Sequence, residues 1–225
     1  MTITLGATPA PLDDALVEAL RSVSFPTFGH YLEEGFLDAG ITRQCGDARV
    51  VGRAITVRLT AQDSTLLHHA AGYCEPGDVF VIDMGGDRRH APVGEVLAAT
   101  LHARGAAGVI IDGVMTDLDE VAPLGLPVYS RGRSILTTKL LGVDAGGINV
   151  PVVCGDVVVQ PGDVVLADAN GVFVASADVL AALLDTVTED DAEEPDLVGR
   201  IRSGERLGDL TGASETVAAL TADRS

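Results

Sequence analysis

Residues 108–117 read Gly-Val-Ile-Ile-Asp-Gly-Val-Met-Thr-Asp and contain two acids, Asp112 and Asp117, in a pattern that suits a divalent metal ion. The apolar run predicts a short buried strand that ends at Asp112, with a helix beginning near Asp117. Open α/β sheets bind ligands at the carboxyl ends of their strands. Two carboxylates in one cleft would bind Mg²⁺ or Mn²⁺ and leave positions for water and substrate. The alternative is that Asp112 closes a turn and Asp117 caps a helix.

A second candidate site is the glycine-rich stretch that begins at Asp83 and leads into a predicted helix. Free backbone N–H groups ahead of a helix suit a carboxylate or a phosphate, and Arg88, Arg89 and His90 add positive charge nearby. The alternative is an exposed loop whose arginines pair with neighbouring acids. The stretch lacks the Gly-x-Gly-x-Gly turn of a methyltransferase.

Other basic side chains give weaker signals. Lys139 follows the stretch Tyr-Ser-Arg-Gly-Arg at residues 129–133, and it would either reach a site from its loop or lie on the surface. His68 and His69 lie in an apolar helical run, and we interpret both as ordinary core or surface histidines rather than metal ligands.

Apolar residues alternate between helical and strand spacing along the chain, which predicts an α/β domain. The motif Pro-Gly-Asp occurs at the start of residues 76–83 and of residues 161–168. Each copy precedes a short apolar strand that is predicted to end at an acid. The other predicted strands are 49–59, 108–112, 127–129, 148–153, 157–159 and a hairpin partner at 172–175; the predicted helices are 11–20, 31–37, 66–71, 93–104, a short one after 117, and 177–188.

Composition narrows the classes of function. The 225-residue chain has a formal net charge of −18, and such a surface repels phosphate backbones and anionic lipids, so we expect neither nucleic-acid nor membrane binding. Three cysteines without metal-site spacing indicate neither a disulfide framework nor a zinc site. With no basic signal-peptide start, the expected location is cytoplasmic. The acidity also raises the question of how this chain would hold an anionic substrate.

Together these segments resemble the family of class II 4-hydroxy-4-methyl-2-oxoglutarate aldolases and regulator-of-ribonuclease-activity A proteins. The resemblance covers residues 27–174 and rests on Val-Gly-Arg-Ala-Ile-Thr-Val at 51–57, both Pro-Gly-Asp turns, Gly-Gly at 85–86, Gly-Glu-Val-Leu-Ala at 94–98, and residues 108–117. Relatives labelled as menaquinone-pathway methyltransferases exist, but the residues here do not support that activity.

The resemblance implies a layered β/β/α swivelling-type α/β fold, assembled as a homotrimer or hexamer with sites at subunit interfaces. Residues 1–190 would form the single domain, and residues 191–225 a C-terminal helix and tail with a neighbouring subunit as one packing partner.

In the aldolase branch, the resemblance implies that Asp117 holds Mg²⁺ or Mn²⁺, largely through waters that Asp112 orders. The metal would stabilise the pyruvate enolate released from a small 2-oxo acid substrate by aldol cleavage or by decarboxylation of oxaloacetate. Our candidate catalytic residues are Asp112, Arg88, His90 and Lys139. Our candidate substrate-binding residues are Gly94, Glu95, Val96, Leu97 and Thr116.

One departure from the family pattern concerns the substrate. The aldolases have Arg-Asp where this chain has Thr116-Asp117, and the arginine grips the substrate with two charge-assisted hydrogen bonds that a threonine cannot make. Either another cation replaces it, or the substrate differs. The candidates for that cation are Arg88, Arg89, Arg131 and Lys139.

Three functions follow from the sequence. The first is a metal-dependent lyase acting on a 2-oxo acid. The second is a non-catalytic regulator that binds and inhibits a ribonuclease or another protein, although that branch typically lacks the acids matching Asp112 and Asp117. The third is a different metal-dependent reaction, such as that of a hydrolase or isomerase, on a larger acid.

Overall fold

The computed structural model describes residues 2–60 and 62–222. None of the helices in these ranges is both long and apolar enough to cross a bilayer. The strands are β1 (Thr4–Leu5), β2 (Thr42–Cys45), β3 (Val50–Arg58), β4 (Asp78–Asp83), β5 (Gly108–Asp112), β6 (Val128–Ser130), β7 (Gly147–Ile148), β8 (Val152–Cys154), β9 (Val157–Val159), β10 (Val164–Asp168) and β11 (Gly171–Ala175). The helices are α1 (Asp14–Ser22), α2 (Thr65–Ala71), α3 (Glu95–Ala103), α4 (Leu118–Val121), α5 (Ala177–Arg202), α6 (Leu207–Leu210) and α7 (Ala213–Ala222), with 3₁₀ turns at Pro26–His30 and Ala122–Leu124.

Four parallel strands, in the order β3-β4-β5-β6, form the centre of the sheet. Helices α2, α3 and α4 connect them in turn, so the carboxyl ends of all four strands meet at one edge. Strand β3 pairs with β10 near its start and with β7 near its end, both antiparallel. Strand β11 pairs with β10, and β8 and β9 form a separate hairpin.

Side chains of the central strands alternate between two faces of the sheet. In β4, Phe80 and Ile82 pack in the cluster that includes α2 and α3, whereas Val79 and Val81 pack against β8 to β11. The sheet therefore has helices on one face and further strands on the other. A third cluster places α1 and α5 outside β10 and β11. This layering confirms the predicted α/β fold class.

The predicted helix at residues 31–37 is wrong. The helical turn lies earlier, at Pro26–His30, and residues 35–37 run along strand β11 instead. The N–H of Val174 donates to the carbonyl of Gly35 at 2.9 Å, and the N–H of Leu37 donates to that of Val172 at 3.0 Å. These hydrogen bonds to a distant strand outweigh the local helical spacing.

Two other predicted elements differ in extent. The predicted strand at 148–153 is divided into β7 and β8, because Asn149 adopts a left-handed backbone with φ 52° and Pro151 follows it. The helix predicted at 177–188 continues to Arg202, through an acidic run and Pro195. The expected domain boundary at residue 190 falls within this one continuous helix.

A buried ion pair joins the starts of the two longest parallel strands. Arg53 in β3 lies opposite Asp78 in β4, and their side chains are only 5% and 2% exposed. The Arg53 guanidinium donates to Asp78 Oδ1 at 2.7 and 2.9 Å, to Glu75 at 2.9 Å and to the carbonyl of Pro9 at 2.6 Å. The Pro-Gly-Asp turn thus begins β4 and also supplies the carboxylate that compensates a buried cation.

A second buried acid fixes the loop that follows β6. Asp63 accepts hydrogen bonds from the N–H and hydroxyl of Thr65 and from the N–H groups of Leu141 and Val143, at 2.6–3.1 Å. The N–H of Ser64 donates to the carbonyl of Lys139 at 2.9 Å. Burial raises the pKa of Asp63, but these donors outweigh it and lower that pKa to about 2.

Removing the Asp78 carboxylate should destabilise the fold. In Asp78→Ala, the buried Arg53 guanidinium keeps only the half-exposed Glu75 as an anionic partner. We expect the free energy of unfolding to fall by about 3 kcal/mol, because one buried charge is left largely uncompensated. Urea-induced unfolding at fixed protein concentration measures it. Glu18→Gln, which removes an exposed pair with Arg21, is the control and should cost less than about 0.5 kcal/mol; equal losses would contradict the interpretation.

Asp63→Asn should lower stability at neutral pH but not in acid. The folded-state pKa of Asp63 is about 2 and lies below its unfolded value of about 3.9, so its stabilisation is present above pH ~4 and is lost as the pH falls toward 2. We expect a loss of about 2 kcal/mol at pH 7 that shrinks as the pH falls from about 4 toward 2. Unfolding curves at each pH, with the exposed Asp119→Asn as control, measure this difference. A loss independent of pH would show that ionisation of Asp63 is not the cause.

Candidate metal and substrate site

The carboxylate of Asp117 lies against the N-terminus of α3. Its Oδ2 accepts a hydrogen bond from the N–H of Glu95 at 3.0 Å, and its Oδ1 accepts one from the Thr116 hydroxyl at 3.0 Å. Asp117 is exposed, and its backbone is left-handed, with φ 54° and ψ 43°. A negative charge at a helix N-terminus is favourable, because the first N–H groups and the helix dipole are positive there.

Gly94 makes this approach possible. A Cβ at residue 94 would lie 2.3 Å from Asp117 Oδ2 and 2.8 Å from the methyl carbon of Thr116. The backbone of Gly94 is extended, so glycine is needed for space rather than for an unusual φ. The two segments are held together by the N–H of Thr116, which donates to the carbonyl of Val93 at 2.9 Å.

Most of the predicted site residues line one cavity of about 220 Å³ beside this contact. The N–H groups of Val96 and Leu97 open the first turn of α3, and no acceptor for them occurs among residues 2–60 and 62–222. Lys139 also lines the cavity, from the loop that Asp63 fixes. His68, which the sequence did not suggest as a site residue, lines it from α2. The predicted residues in the lining are Gly94, Glu95, Val96, Leu97, Thr116, Asp117 and Lys139.

Asp112 does not line this cavity and has different partners. It ends β5, and its carboxylate accepts from the Arg131 guanidinium and from the N–H of Gly155, the latter at 2.9 Å. Arg131 also pairs with Asp38, and its side chain is only 7% exposed, so it is not a free cation for substrate. Burial raises the pKa of Asp112, but Arg131 and Gly155 outweigh it and bring that pKa below its usual value. Its role in ordering water stays a prediction.

Arg88 and His90 also lie outside the lining of the cavity. His90 is buried, and its Nδ1 is 2.8 Å from Asp87 Oδ2. Burial raises the pKa of Asp87, but the N–H groups of His90 and Arg89 and the His90 ring outweigh it and lower that pKa. Arg88 is exposed, as is Arg89. The catalytic roles of Arg88 and His90 stay predictions.

A second cavity, of about 260 Å³, shares Thr116 and Asp117 with the first and is lined on its other side by Arg133, Ser134 and Ile135. Arg133 was not among the site residues predicted from the sequence. Its position in the loop after β6 could have indicated it, because that loop starts at the same sheet edge as the segment that contains Asp117.

The donors around Asp117 fit a metal ion that keeps most of its coordination positions for water and substrate. Asp117 supplies one exposed carboxylate, and Glu95 is a second exposed acid on the same cavity. In the part of the chain that the structure describes, no group of three or more His, Cys, Asp or Glu side chains is placed to hold a metal. Mg²⁺ is typically held by one or two carboxylates and waters, whereas structural Zn²⁺ takes four protein ligands. Asp117 and Glu95 offer the oxygen donors that Mg²⁺ and Mn²⁺ take, and the binding of either metal here stays a prediction.

Two proteins of similar sequence carry the same provisional name. A protein of Halalkalibacterium halodurans, provisionally named as a 4-hydroxy-4-methyl-2-oxoglutarate aldolase, is 38% identical over 126 residues, which is 56% of this chain and only 59% of that relative's length. One of Shewanella oneidensis with the same provisional name is 32% identical over 158 residues, covering 70% of this chain and 94% of the relative.

A solved structure and a family model agree with these relatives. The structure of Streptomyces coelicolor RraAS2, described as an unusual member of the RNase ES inhibitor RraA protein family, is 26% identical. It superimposes with a TM-score of 0.72 over 85% of this chain and 98% of that one. The family model described as RraA-like, Aldolase/RraA, matches residues 14–174. The chain therefore belongs to the RraA-like family.

Proposed function

We propose that this protein is a divalent-metal-dependent carbon–carbon lyase that cleaves or decarboxylates a 2-oxo acid. The observation that carries the proposal is the single cavity in which an exposed Asp117 carboxylate, the free N–H groups of α3 and Lys139 lie together. The aldolase names of the Halalkalibacterium and Shewanella relatives support the same reaction class.

Each group in the cavity has a chemical use in this reaction. Asp117 would hold Mg²⁺ or Mn²⁺, and such a cation acts as a Lewis acid toward the oxygen of the 2-oxo group as the carbon–carbon bond breaks. The N–H groups of Val96 and Leu97 suit the carboxylate next to that group. Lys139 adds positive charge to the lining of the same cavity. Thr116 donates its hydroxyl to Asp117, so its use is to orient that carboxylate rather than to grip substrate.

Exposed apolar side chains in the lining of the two cavities favour a second copy of the chain packing over them. Ile135, which lines the second cavity, is 99% exposed. Val96 and Leu140, which line the first cavity, are 74% and 63% exposed. Apolar side chains around a functional pocket suit a subunit interface. The proposed assembly is the homotrimer or hexamer that the family resemblance implies, and size-exclusion chromatography with light scattering tests it.

The second candidate function is regulation of an endoribonuclease without catalysis. The likeness to Streptomyces RraAS2 favours it, since that protein is described within an RNase inhibitor family. The test adds the purified protein to an RNase E-type enzyme and follows cleavage of an RNA substrate. Inhibition that persists in Asp117→Asn, together with no reaction on any 2-oxo acid, would replace the lyase proposal by this one.

Loss of the Asp117 carboxylate should abolish metal-dependent turnover. After treatment with a chelator, the wild type should release pyruvate from oxaloacetate only when Mg²⁺ or Mn²⁺ is restored. Asp117→Asn should lower kcat/KM roughly a hundredfold or more, because Lewis-acid stabilisation is worth several kcal/mol. The readout is pyruvate, coupled to lactate dehydrogenase and corrected for the metal-catalysed background.

Asp119→Asn is the matched control, since Asp119 is exposed in the first turn of α4, two residues away, and should retain wild-type activity. Full activity in Asp117→Asn would contradict the metal assignment. Absence of turnover in the wild type with every 2-oxo acid, and no rise in Tm with either metal, would reject the lyase.

Gly94→Ala should lower the activity by displacing Asp117, without removing any functional group from the site. The added methyl would meet the Asp117 carboxylate and displace it from the N-terminus of α3. We expect kcat/KM to fall roughly a hundredfold, since a displacement of about 1 Å at a reacting centre costs that much. Gly199→Ala, where an added Cβ meets nothing within 4 Å, is the control. Circular dichroism checks that both variants fold, and unimpaired catalysis by a folded Gly94→Ala protein would refute the geometry.

A further inference from the structure

Basic side chains that form no ion pair and no side-chain hydrogen bond are gathered at one edge of this acidic molecule, although the charge of Arg88 still acts on Asp38 and Asp112. Within residues 2–60 and 62–222, those with no ion pair and no side-chain hydrogen bond are Arg88, Arg89, Arg133, Lys139 and Arg202. Four of these five lie in the loops that follow β4 and β6, at the carboxyl edge of the parallel strands. The chain has 33 acids and 15 Lys and Arg residues, so unpaired cations at one edge indicate an anion from outside the chain.

Arg133 is the cation that the backbone places beside Thr116 and Asp117. Its backbone pairs with Met115, where the N–H of Ser134 donates to the carbonyl of Met115 at 2.9 Å. The N–H of Met115 in turn donates to the carbonyl of Gly132 at 3.0 Å. Gly132 has φ 143°, a conformation that side-chain-bearing residues rarely adopt, and it directs the chain along this path. Arg133 is thus held on a defined backbone although its side chain is exposed.

Two of the five unpaired cations line these cavities, one in each. Lys139 lines the cavity at the N-terminus of α3, and Arg133 lines the cavity on the Leu118 side. Arg88 and Arg89 line neither, and Arg131 is occupied by Asp112 and Asp38. Among the residues lining the second cavity in the described structure, Arg133 alone carries a positive charge.

We propose that Arg133 binds a second carboxylate of the substrate, remote from the 2-oxo group, and so selects 2-oxo dicarboxylates over 2-oxo monocarboxylates. The placement of the 2-oxo end rests on the proposed function, whereas the anion pocket itself rests on Arg133. Thr116 and Asp117 line both cavities, so in this proposal the substrate binds at Asp117 and extends toward Arg133. A guanidinium binds a carboxylate through two parallel hydrogen bonds, and Leu118 and Ile135 offer apolar contact to the carbons between.

The test measures binding rather than turnover. Two five-carbon acids, 2-oxoglutarate and 2-oxopentanoate, differ at the distal carboxylate, and both are titrated by calorimetry into wild-type protein with Mg²⁺. We expect the wild type to prefer 2-oxoglutarate, and Arg133→Gln to weaken that ligand about tenfold or more while leaving 2-oxopentanoate unchanged. Arg89→Gln removes the same charge from an exposed arginine that lines neither cavity, and it should leave both affinities unchanged.

Four results would overturn the inference: no binding of either acid, equal affinity of wild type for both, equal weakening of both acids by Arg133→Gln, or equal effects of Arg133→Gln and Arg89→Gln. The last would mean that only long-range charge matters. Selective loss of 2-oxoglutarate binding, with no pyruvate release from oxaloacetate by wild type, supports the Arg133 pocket and rejects the lyase. Pyruvate release with unchanged 2-oxoglutarate binding in Arg133→Gln supports the lyase and rejects the pocket.

Discussion

The contact between the Asp117 carboxylate and the first N–H of α3 is the interaction on which the rest of the site depends. It needs the missing side chain of Gly94, the left-handed backbone of Asp117 and the pairing of Thr116 with Val93, which come from two separate loops. The carboxylate accepts a hydrogen bond from an N–H that the helix would otherwise leave free. Because Asp117 uses one hydrogen bond per oxygen here, each oxygen keeps a lone pair for another partner.

The fold was predictable where the hydrophobic period was clear. Strands β3, β4, β5 and β10 and helices α1, α2 and α3 lie within a few residues of their predicted bounds, since each buries one recognisable face. Residues 31–37 have helical spacing too, but two hydrogen bonds with β11 decide their conformation: the carbonyl of Gly35 accepts from Val174, and the N–H of Leu37 donates to Val172. Residues 177–188 and the C-terminal helix after residue 190 were predicted as separate elements, whereas α5 is one continuous helix through Pro195, and Asp191 within it accepts a hydrogen bond from the Thr27 hydroxyl.

The site was predictable in part, for a topological reason. Loops that follow parallel strands meet at one edge, so acids and cations after β4, β5 and β6 could be expected near each other, and Asp117, Lys139 and the start of α3 do share a cavity. The pairing of Arg131 with Asp112 and Asp38 has no local signal, since Asp38 is 93 residues away in sequence. Arg133 was missed because only the ion pairs of its neighbours show that it is free.

The gathering of free cations in a molecule of net charge −18 has a kinetic consequence. Salt screens charges over about 8 Å at physiological ionic strength, so an approaching anion is repelled by the net negative charge of the surface before it is close enough for attraction by Lys139 or Arg133. Capture then depends on attraction at short range, after a repulsive approach. For such a protein, an increase from low ionic strength raises the association rate of an anionic ligand, because salt screens the repulsion. Enzymes whose overall field attracts the ligand show the opposite dependence.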